Sequence, residues 1–467
     1  MRYFIIALIW LAPIIMGSCN PHGSTVIPQR EIPNHFNFHY SKKIDKIVPT
    51  FNWWENFHSP SLNKAMEIAF EKNLDIKMAF YRLKQAEAIN QKSRSSLWPS
   101  LEMQASGSRT HYPEGNSDLY KIGLAASYEI DLWKKLSSYR ESSQWEKAAS
   151  QADLETAYLT VSALVAEDFF KMVALKEQIK VTNHLIDSFY KILKLVETRY
   201  ASGVVTSADL YQAKQNLLGV KARLPLLQSN LEAAKNSLAF LLGSAKPNPI
   251  LEQAASLPEP DFSFETGLPS DLLLNRPDIK ASLLRLKKLD AKVAQAVAEK
   301  FPVFNLGGTI WYEEQELSKL FDFKNLLWSI MASISQSIFD AGKRKAEVNF
   351  RKAQLEEGLA DYRKKVLKGF QEVRDSFAAL DSAEQHYAFS LKRLQVAESS
   401  LKLAIEQYSS GISTFLPVLE AESAYSQAQL DLIEAKRLRI LGRIQLARAL
   451  GGSWMNAQTQ RTEEKDE

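Results

Sequence analysis

The sequence predicts a mainly α-helical protein with a membrane β-barrel portion, built from two tandem structural repeats. Each repeat is expected to contain a helix, a β-hairpin, a very long coiled-coil helix and a returning helix. Three observations in the 467 residues support this prediction. Apolar residues recur every seven positions over two long stretches, the two stretches align with each other, and segments of alternating apolar and polar residues precede both.

The longest periodic stretch lies in the second half of the chain and contains no proline. Its apolar positions are Leu359, Val366, Val373, Leu380, Tyr387, Leu394, Leu401 and Tyr408. This spacing predicts one coiled-coil helix over about 343–409. At about 1.5 Å per residue, ~65 residues would span roughly 100 Å. A helix of that length requires other helices to pack against.

The first half contains the matching stretch, which predicts a second long helix over about 135–201. Its apolar positions are Tyr158, Val165, Met172, Ile179, Ile186, Leu193 and Tyr200, and each aligns with a position of the later stretch. Both stretches end at a Tyr-x-x-Gly sequence, with Gly203 in the first and Gly411 in the second. A glycine there can take the left-handed conformation that ends a helix. A returning helix is expected after each glycine.

Ahead of each long helix the apolar spacing changes from helical to alternating. We expect strands within about 99–132 and 302–339, with Pro99 and Pro302 at the helix–strand junctions. The first hairpin is expected to turn through a polar loop at 111–118. The apolar positions of the four strands include Leu101, Met103, Ile122, Leu124, Leu306, Ile310, Ile330 and Ile334.

Strands of this length with one apolar face are typical of membrane barrels, where open sheet edges cost several kcal/mol per unpaired backbone group. Four strands are too few to close a barrel, so closure needs further copies of the chain. Two copies give eight strands and a filled interior, whereas three give twelve strands and room for a water-filled channel. The alternative is a small soluble sheet, because the alternation of each strand alone is a weak signal.

The N-terminal residues predict a lipid anchor. Residues 1–18 have the charged start and short apolar run of a signal peptide, and the sequence before Cys19 resembles the bacterial lipobox, with Met16 where Leu is usual. Cys19 would then carry the lipid. The alternative is an ordinary signal peptide followed by an incidental cysteine.

The remaining boundaries follow from composition. A lipid-anchored extended segment is expected at 19–50, the first repeat at 51–243 and the second at 270–452. Five prolines between the repeats predict an irregular linker at 244–269. The charged residues 453–467 predict a disordered tail.

Charge and composition argue against other functions. The net charge of +4 is small for this length, and lysines and arginines alternate with acids, so no nucleic-acid partner is expected. With one cysteine the chain has no intrachain disulfide and no cysteine-based metal site. No phosphate-binding loop, metal-ligand spacing or catalytic triad motif occurs, so the sequence predicts no enzyme and no cofactor.

Several ordered motifs together resemble one known family. They are Cys19 with its lipobox, Trp53-Trp54-x-x-Phe57, Asn73-Leu74-Asp75, Arg276-Pro277-Asp278-Ile279, the junction prolines, the paired Tyr-x-x-Gly sequences and Val418-Leu419-Glu420-Ala421. In this combination the mature chain resembles the outer-membrane efflux lipoproteins of the TolC and NodT type.

The resemblance implies a homotrimer with a twelve-stranded outer-membrane barrel and a long periplasmic α-helical tunnel. Such a trimer is the passive exit duct of a tripartite efflux or secretion system. Its partners are a periplasmic adaptor of the membrane fusion class, an inner-membrane pump and outer-membrane lipid. The family performs no chemistry and carries no cofactor.

The resemblance also implies a gate at the periplasmic tips of the helices. Carried over by position, its residues are Tyr200 and Asp209 in the first repeat and Tyr408 and Glu420 in the second. This chain departs from the family at Pro417, where relatives often have an acid. The alternatives are that Asp209 is a helix-start acid favoured by the helix dipole and Glu420 a solvated helix acid.

One other function remains open at this point. A lipid-anchored periplasmic coiled-coil structural or adaptor protein would explain Cys19 and the long helices. It would leave the four alternating strands, placed symmetrically in both repeats, without an explanation.

Overall fold

The structure is a computed structural model, and it describes residues 21–23, 45–47, 52–247, 256–260, 262–264 and 276–451. The predicted signal peptide, Cys19 and the tail at 453–467 lie outside the described residues. So do most of the extended segment at 19–50 and most of the linker at 244–269.

The first repeat contains the helices α1 to α4 and the first hairpin. Its elements are β1 (Asp45–Ile47), α1 (Pro60–Lys72), α2 (Leu74–Ser95), β2 (Ser100–Tyr112), β3 (Gly115–Ile130), α3 (Lys135–Ala201) and α4 (Ser207–Leu241). A short 3-10 helix, Trp53–Phe57, precedes α1.

The second repeat follows the same order after a short strand. Its elements are β4 (Phe262–Phe264), α5 (Pro277–Ala298), β5 (Val303–Glu314), β6 (Leu326–Ser335), α6 (Lys343–Ser409) and α7 (Leu416–Leu450). The long helices α3 and α6 have 67 residues each, and the returning helices α4 and α7 have 35 each. Among the described helices, none has both the length and the apolar character needed to cross a membrane.

The chain divides into two compact units. Of the described residues, unit 1 contains 21–23, 81–151 and 281–364, and unit 2 contains 45–47, 52–80, 152–247, 256–260, 262–264, 276–280 and 365–451.

Unit 1 contains an antiparallel four-stranded sheet in the order β2-β3-β5-β6. The register places apolar residues opposite one another across all four strands, as in the row Met103, Leu124, Ile310 and Trp328. The opposite face carries polar pairs such as Thr309 with Ser329, whose hydroxyls are 2.6 Å apart. One face of the sheet is therefore apolar from edge to edge, as the alternation predicted.

The first hairpin turns more tightly than the sequence predicted, and the prediction of a polar loop at 111–118 was wrong. Strand pairing continues to Tyr112 and Gly115, so two residues make the turn. Arg109 forms a two-pronged ion pair with Asp118, at 2.6 Å for each hydrogen bond. Polar residues pair across the strands here, so their polarity does not mark a loop.

The two hairpins meet at the junction that Pro302 begins. Pro99 and Pro302 each directly precede a strand, β2 and β5 respectively. Trp133 stacks on Phe301 with ring centroids 4.7 Å apart, and its Nε1 donates a hydrogen bond to the Pro302 carbonyl at 2.9 Å. The indole therefore fixes the end of the first hairpin against the start of the second.

Unit 2 has an aromatic core at the start of the first repeat. Phe57 packs against Phe170 of α3 and Phe262 of β4, with ring centroids 5.0 and 5.2 Å apart. Strand β4 pairs in parallel with β1, a contact that the sequence did not predict. The guanidinium of the fully buried Arg443 donates from Nε to the Phe262 carbonyl at 2.7 Å and so holds β4 against α7.

The repeats end in equivalent ways within unit 2. In the first repeat, Asn73 donates from Nδ2 to the Leu241 carbonyl at 2.8 Å. In the second, Arg276 donates from Nη1 to the Ala449 carbonyl at 3.1 Å and also contacts Asp278 and Glu372. Both side chains satisfy a carbonyl in the last turn of a returning helix, which lacks an intrahelical partner.

Candidate functional site: the helical tips

We call the two helix-to-helix turns tip 1 (residues 199–209) and tip 2 (residues 407–420). Tip 1 reverses the chain at Gly203, which has φ +71°. Its amide donates to the Tyr200 carbonyl at 2.9 Å, and the Val204 amide donates to the Arg199 carbonyl at 3.0 Å. The left-handed glycine thus lets the turn satisfy carbonyls that the helix end leaves open.

Tip 2 repeats this backbone arrangement. Gly411 has φ +74° and donates to the Tyr408 carbonyl at 3.1 Å, while Ile412 donates to the Gln407 carbonyl at 3.0 Å. The duplicated Tyr-x-x-Gly sequence therefore produces the same turn twice.

Asp209 belongs to the capping box of helix α4, whose N-cap residue is Thr206. The Thr206 amide and hydroxyl both donate to Asp209 Oδ2, at 2.9 and 2.8 Å, and the Asp209 amide donates back to the Thr206 hydroxyl oxygen at 3.3 Å. This is a capping box, with aspartate in the place that glutamate usually takes. The hydrogen bonds from the Thr206 side chain and backbone lower the pKa of Asp209, so the carboxylate is ionised at neutral pH.

Tip 2 lacks this cap. Helix α7 begins at Leu416, its N-cap residue Phe415 makes no side-chain cap, and Pro417 lies in the first turn. Proline fits there because its missing amide hydrogen would have no partner within the helix. The two tips therefore have the same glycine turn but differ in charge, since tip 1 has the carboxylate of Asp209 where tip 2 has Pro417.

Tyr408 joins the two tips. The guanidinium carbon of Arg199 lies 4.7 Å from the centroid of its ring, and the ring of Phe415 is 4.9 Å away on the same tip. The Tyr408 hydroxyl is buried and has no hydrogen-bond partner among the described residues. Tyr200, its counterpart, is 45% exposed. The two tyrosines of the repeated motif thus have different environments.

Glu420 is exposed to solvent between two buried neighbours, Leu419 and Ala421. Leu419 packs in a cluster with Leu185 and Phe189 of α3 and Leu217 and Val220 of α4, so α7 contacts these two helices through its apolar side. Two residues further on, Glu422 is half-buried. Burial raises its pKa, and a hydrogen bond with the Ser188 side chain opposes this in part.

The structure therefore treats the predicted gate residues differently. It places Tyr408 in the contact between the tips and leaves Tyr200, Asp209 and Glu420 exposed. Arg199, Phe415 and Glu422 were not identified from the sequence. Phe415 stands seven residues after Tyr408 and extends the apolar spacing, which was a usable signal, whereas Arg199 and Glu422 follow no pattern.

The tips offer charges, aromatic rings and exposed apolar side chains. Among the described residues, no group of three or more His, Cys, Asp or Glu side chains is placed to hold a metal ion. The arrangement can attract cations through exposed carboxylates and can pack against another helical surface.

Comparisons with a family model, with curated relatives and with solved structures all identify proteins of one kind. The model of the family described as outer membrane efflux protein matches residues 65–244 and 268–452. The two matched ranges correspond to the two repeats.

Individual relatives cover nearly the whole chain. The pyoverdine export outer membrane protein OpmQ of Pseudomonas aeruginosa is 29% identical over 468 residues, covering 95% of this chain and 96% of the relative. The solvent efflux pump outer membrane protein SrpC of Pseudomonas putida is 27% identical over 412 residues, covering 86% and 88%. Among solved structures, the open state of the MtrE outer membrane channel of Neisseria gonorrhoeae superposes on this chain with a TM-score of 0.84. The two sequences are 27% identical, and the match covers 93% of this chain and 99% of that one.

Proposed function

This chain belongs to the outer membrane efflux protein family, and on that basis we propose that three copies assemble into one channel. The chain is an outer-membrane efflux channel, a passive conduit from the periplasm to the exterior. The proposal adds the homotrimer, its docking partners, its gate and its lipid anchor. It also holds that the chain performs no catalysis and needs no cofactor.

The observation that carries the trimer is the open four-stranded sheet. The outer edges of its end strands β2 and β6 have no partner strand within the described part of the chain, and its apolar face is continuous. In lipid, the unpaired backbone groups of these edges would each cost several kcal/mol. Pairing β6 of one copy with β2 of the next removes every edge, and three copies give twelve strands with an open interior.

Purification in detergent tests this assembly. We expect a protein mass of three chains after the detergent is subtracted, and a band that migrates as a trimer unless the sample is boiled. A monomer or dimer that stays in solution without detergent once Cys19 is replaced would contradict the proposal. That result would favour the alternative, a lipid-anchored periplasmic coiled-coil structural or adaptor protein.

The tips are the proposed docking surface for a periplasmic adaptor of the membrane fusion class. Val204 and Ile412 occupy equivalent positions after the two glycines, and they are 69% and 77% exposed. Exposed apolar side chains at both tips suit a helical partner that buries them. The adaptor would link the channel to an inner-membrane pump, which supplies the energy and selects the molecule exported.

Site-specific cross-linking tests the docking surface. A photoreactive residue at Val204 or Ile412 is expected to capture the adaptor in cells, whereas the same residue at Leu226, an exposed position on α4, is not. Equal capture at all three positions would contradict docking through the tips.

We propose that Asp209 and Glu420 limit the conductance of the resting channel. Three copies of each exposed carboxylate around one narrow lumen would attract cations and favour cation passage. Single-channel recording in planar bilayers should give a larger resting current and reduced cation selectivity for Asp209→Asn and Glu420→Gln. Glu71→Gln on α1 is the control. Unchanged current and selectivity in both tip variants would remove these residues from the gate.

Cys19 is the proposed attachment point of the lipid anchor, which would hold the N-terminus in the outer membrane. Its support is the lipobox-like sequence. Radiolabelled palmitate should be incorporated into the wild-type chain and not into Cys19→Ser. Labelling of the variant would contradict the assignment.

A further inference from the structure

A cavity of about 470 Å³ lies in unit 1, where helix α2 ends and strand β2 begins. A much smaller cavity, about 150 Å³, is enough to hold a benzene ring. Its lining residues are Arg94, Leu97, Trp98, Pro99, Tyr128 and Arg140. We call it the junction pocket.

Two arginines approach the junction pocket from different helices. Arg94 lies in the last turn of α2 and Arg140 near the start of α3, and both are exposed. Neither forms an ion pair with any residue that the structure describes. Glu129, next in sequence to Tyr128, is already paired with Lys135. The pocket therefore carries two positive charges without a counter-charge from the described part of the chain.

The pocket also lies at the end of the apolar face of the sheet. Tyr128 stands opposite Leu306 in the register, in the alternating set that forms this face. Trp98, just before β2, is 76% exposed. Tryptophan and tyrosine are enriched where a membrane protein passes from lipid to water, since their rings combine an apolar body with a polar tip.

The second repeat has valines at the two positions that correspond to these arginines. Arg94 stands five residues before Pro99, and Val297 stands five residues before Pro302. Arg140 is the sixth residue of α3, and Val348 is the sixth residue of α6. Val297 packs against the apolar cluster of Leu286, Val293 and Leu355, and Val348 is buried. The first repeat thus has charged groups where its counterpart has packed valines.

We propose that the junction pocket binds the phosphodiester headgroup of a phospholipid in the periplasmic leaflet of the outer membrane. The assignment of the leaflet rests on the proposed function, in which the sheet lies in that membrane. Arginine suits this ligand because its planar guanidinium donates paired hydrogen bonds to phosphate oxygens. Trp98 and Tyr128 supply the apolar walls, and the acyl chains lie along the apolar face that begins at Tyr128.

Native mass spectrometry of the full-length channel with phosphatidylglycerol tests the proposal. We expect the double variant Arg94→Gln/Arg140→Gln to bind the lipid at least about tenfold more weakly, since it loses two charge-assisted contacts. Arg82→Gln, which changes an exposed arginine on the same helix, is the matched control and should bind as the wild type does. Each single variant is measured as well, in case the double variant does not assemble.

A second arm separates a lipid headgroup from a free anion. Inorganic phosphate at millimolar concentration is added as competitor, and it should not displace phosphatidylglycerol. Displacement, or equal lipid binding by wild type and the arginine variants, would overturn the proposal. Oligomeric mass is read from the same spectra. A trimer without arginine-dependent lipid binding would refute the pocket alone, whereas a chain that never forms trimers would refute the proposed assembly.

Discussion

The guanidinium of Arg199 lies over the ring of Tyr408, so the last turn of helix α3 contacts the last turn of helix α6. The ring of Phe415 packs against the same tyrosine ring, with centroids 4.9 Å apart. The contact joins two turns that the duplicated sequence makes separately. Separating the two tips therefore breaks this cation–π contact.

Tyr408→Leu is expected to loosen both tips. A cation–π contact of this kind contributes about 0.5–1 kcal/mol at an exposed site, and an aromatic pair adds about 0.5–1.5 kcal/mol. Amide hydrogen exchange should become faster around Gly203 as well as around Gly411. Tyr200→Leu is the matched control and should change only tip 1, because Tyr200 is exposed. Faster exchange confined to tip 2 in Tyr408→Leu would contradict the coupling.

Thr206→Ala should destabilise the start of helix α4 by about 1 kcal/mol, since the hydroxyl accepts the Asp209 amide. Its counterpart Thr414→Ala should cost much less, because helix α7 has no side-chain cap. Hydrogen exchange of the first-turn amides of the two helices measures both effects. Equal losses would mean that the capping box does not stabilise tip 1.

Asp209→Asn separates capping from charge. The amide oxygen can still accept hydrogen bonds from Thr206, so the helix start should remain protected in hydrogen exchange, while the tip loses one charge per chain. Because the pKa of Asp209 is lowered in the fold, its stabilising effect is present above the unfolded pKa and is lost as the pH falls through the folded pKa. Acid-dependent fraying of α4 should therefore occur in wild type and be absent in Asp209→Asn.

Glu155 should make the stability of the protein depend on pH. It is buried on helix α3 with Oε1 unpaired among the described residues, and burial raises its pKa to about 7 against a partial opposing effect of Lys280. The fold then holds more protons than the unfolded chain between pH 4.5 and 7, so stability falls as the pH rises through this window. The loss amounts to roughly 3 kcal/mol at about 1.4 kcal/mol per pKa unit.

Glu155→Gln removes the titrating group while keeping the shape of the side chain. Its thermal unfolding temperature, followed by circular dichroism, should change less between pH 5 and pH 8 than that of the wild type. It should also exceed the wild-type value at pH 8. An identical pH dependence in both proteins would show that Glu155 is not the group responsible.

Gly123→Ala should disrupt the sheet. A Cβ atom at this position would lie 2.3 Å from the Ile310 carbonyl oxygen and 2.7 Å from the Trp311 Cα, both backbone atoms of β5. Overpacking of this kind costs about 1–3 kcal/mol, so the band of the proposed trimer should dissociate at a lower temperature on an unboiled gel. Gly308→Ala is the control, since its Cβ would meet only the Ser329 carbonyl oxygen at 3.8 Å. Similar dissociation of both variants would contradict the close approach.

The order of helices and strands, repeated in the two halves of the chain, could be predicted from the sequence because each element depends on a local pattern. Heptad spacing selects one face of a helix, and alternation selects one face of a strand, so each fixes an element without reference to distant residues. The two Tyr-x-x-Gly turns belong to the same class, since the left-handed conformation of Gly203 and Gly411 is a property of glycine itself.

The sequence did not predict which residues at corresponding positions of the two repeats would make equivalent contacts. Asn73 and Arg276 do not resemble each other, yet both satisfy a carbonyl at the end of a returning helix. Tyr200 and Tyr408 are identical residues in identical motifs, yet one is exposed and the other packs against Arg199 and Phe415. A residue's type does not state which distant atoms will come within reach of it.

The sequence by itself therefore determined the long helices, the four strands of the two hairpins, their order, the chain reversals at the tips and the family to which the chain belongs. The tertiary structure decided that Asp209 completes the capping box of a helix, that Tyr408 joins the tips, that the first hairpin turns at two residues, and that Arg94 and Arg140 share one pocket. The physical reason is that periodicity and turn chemistry act within a few residues along the chain, whereas burial, ion pairing and capping depend on atoms brought together by packing.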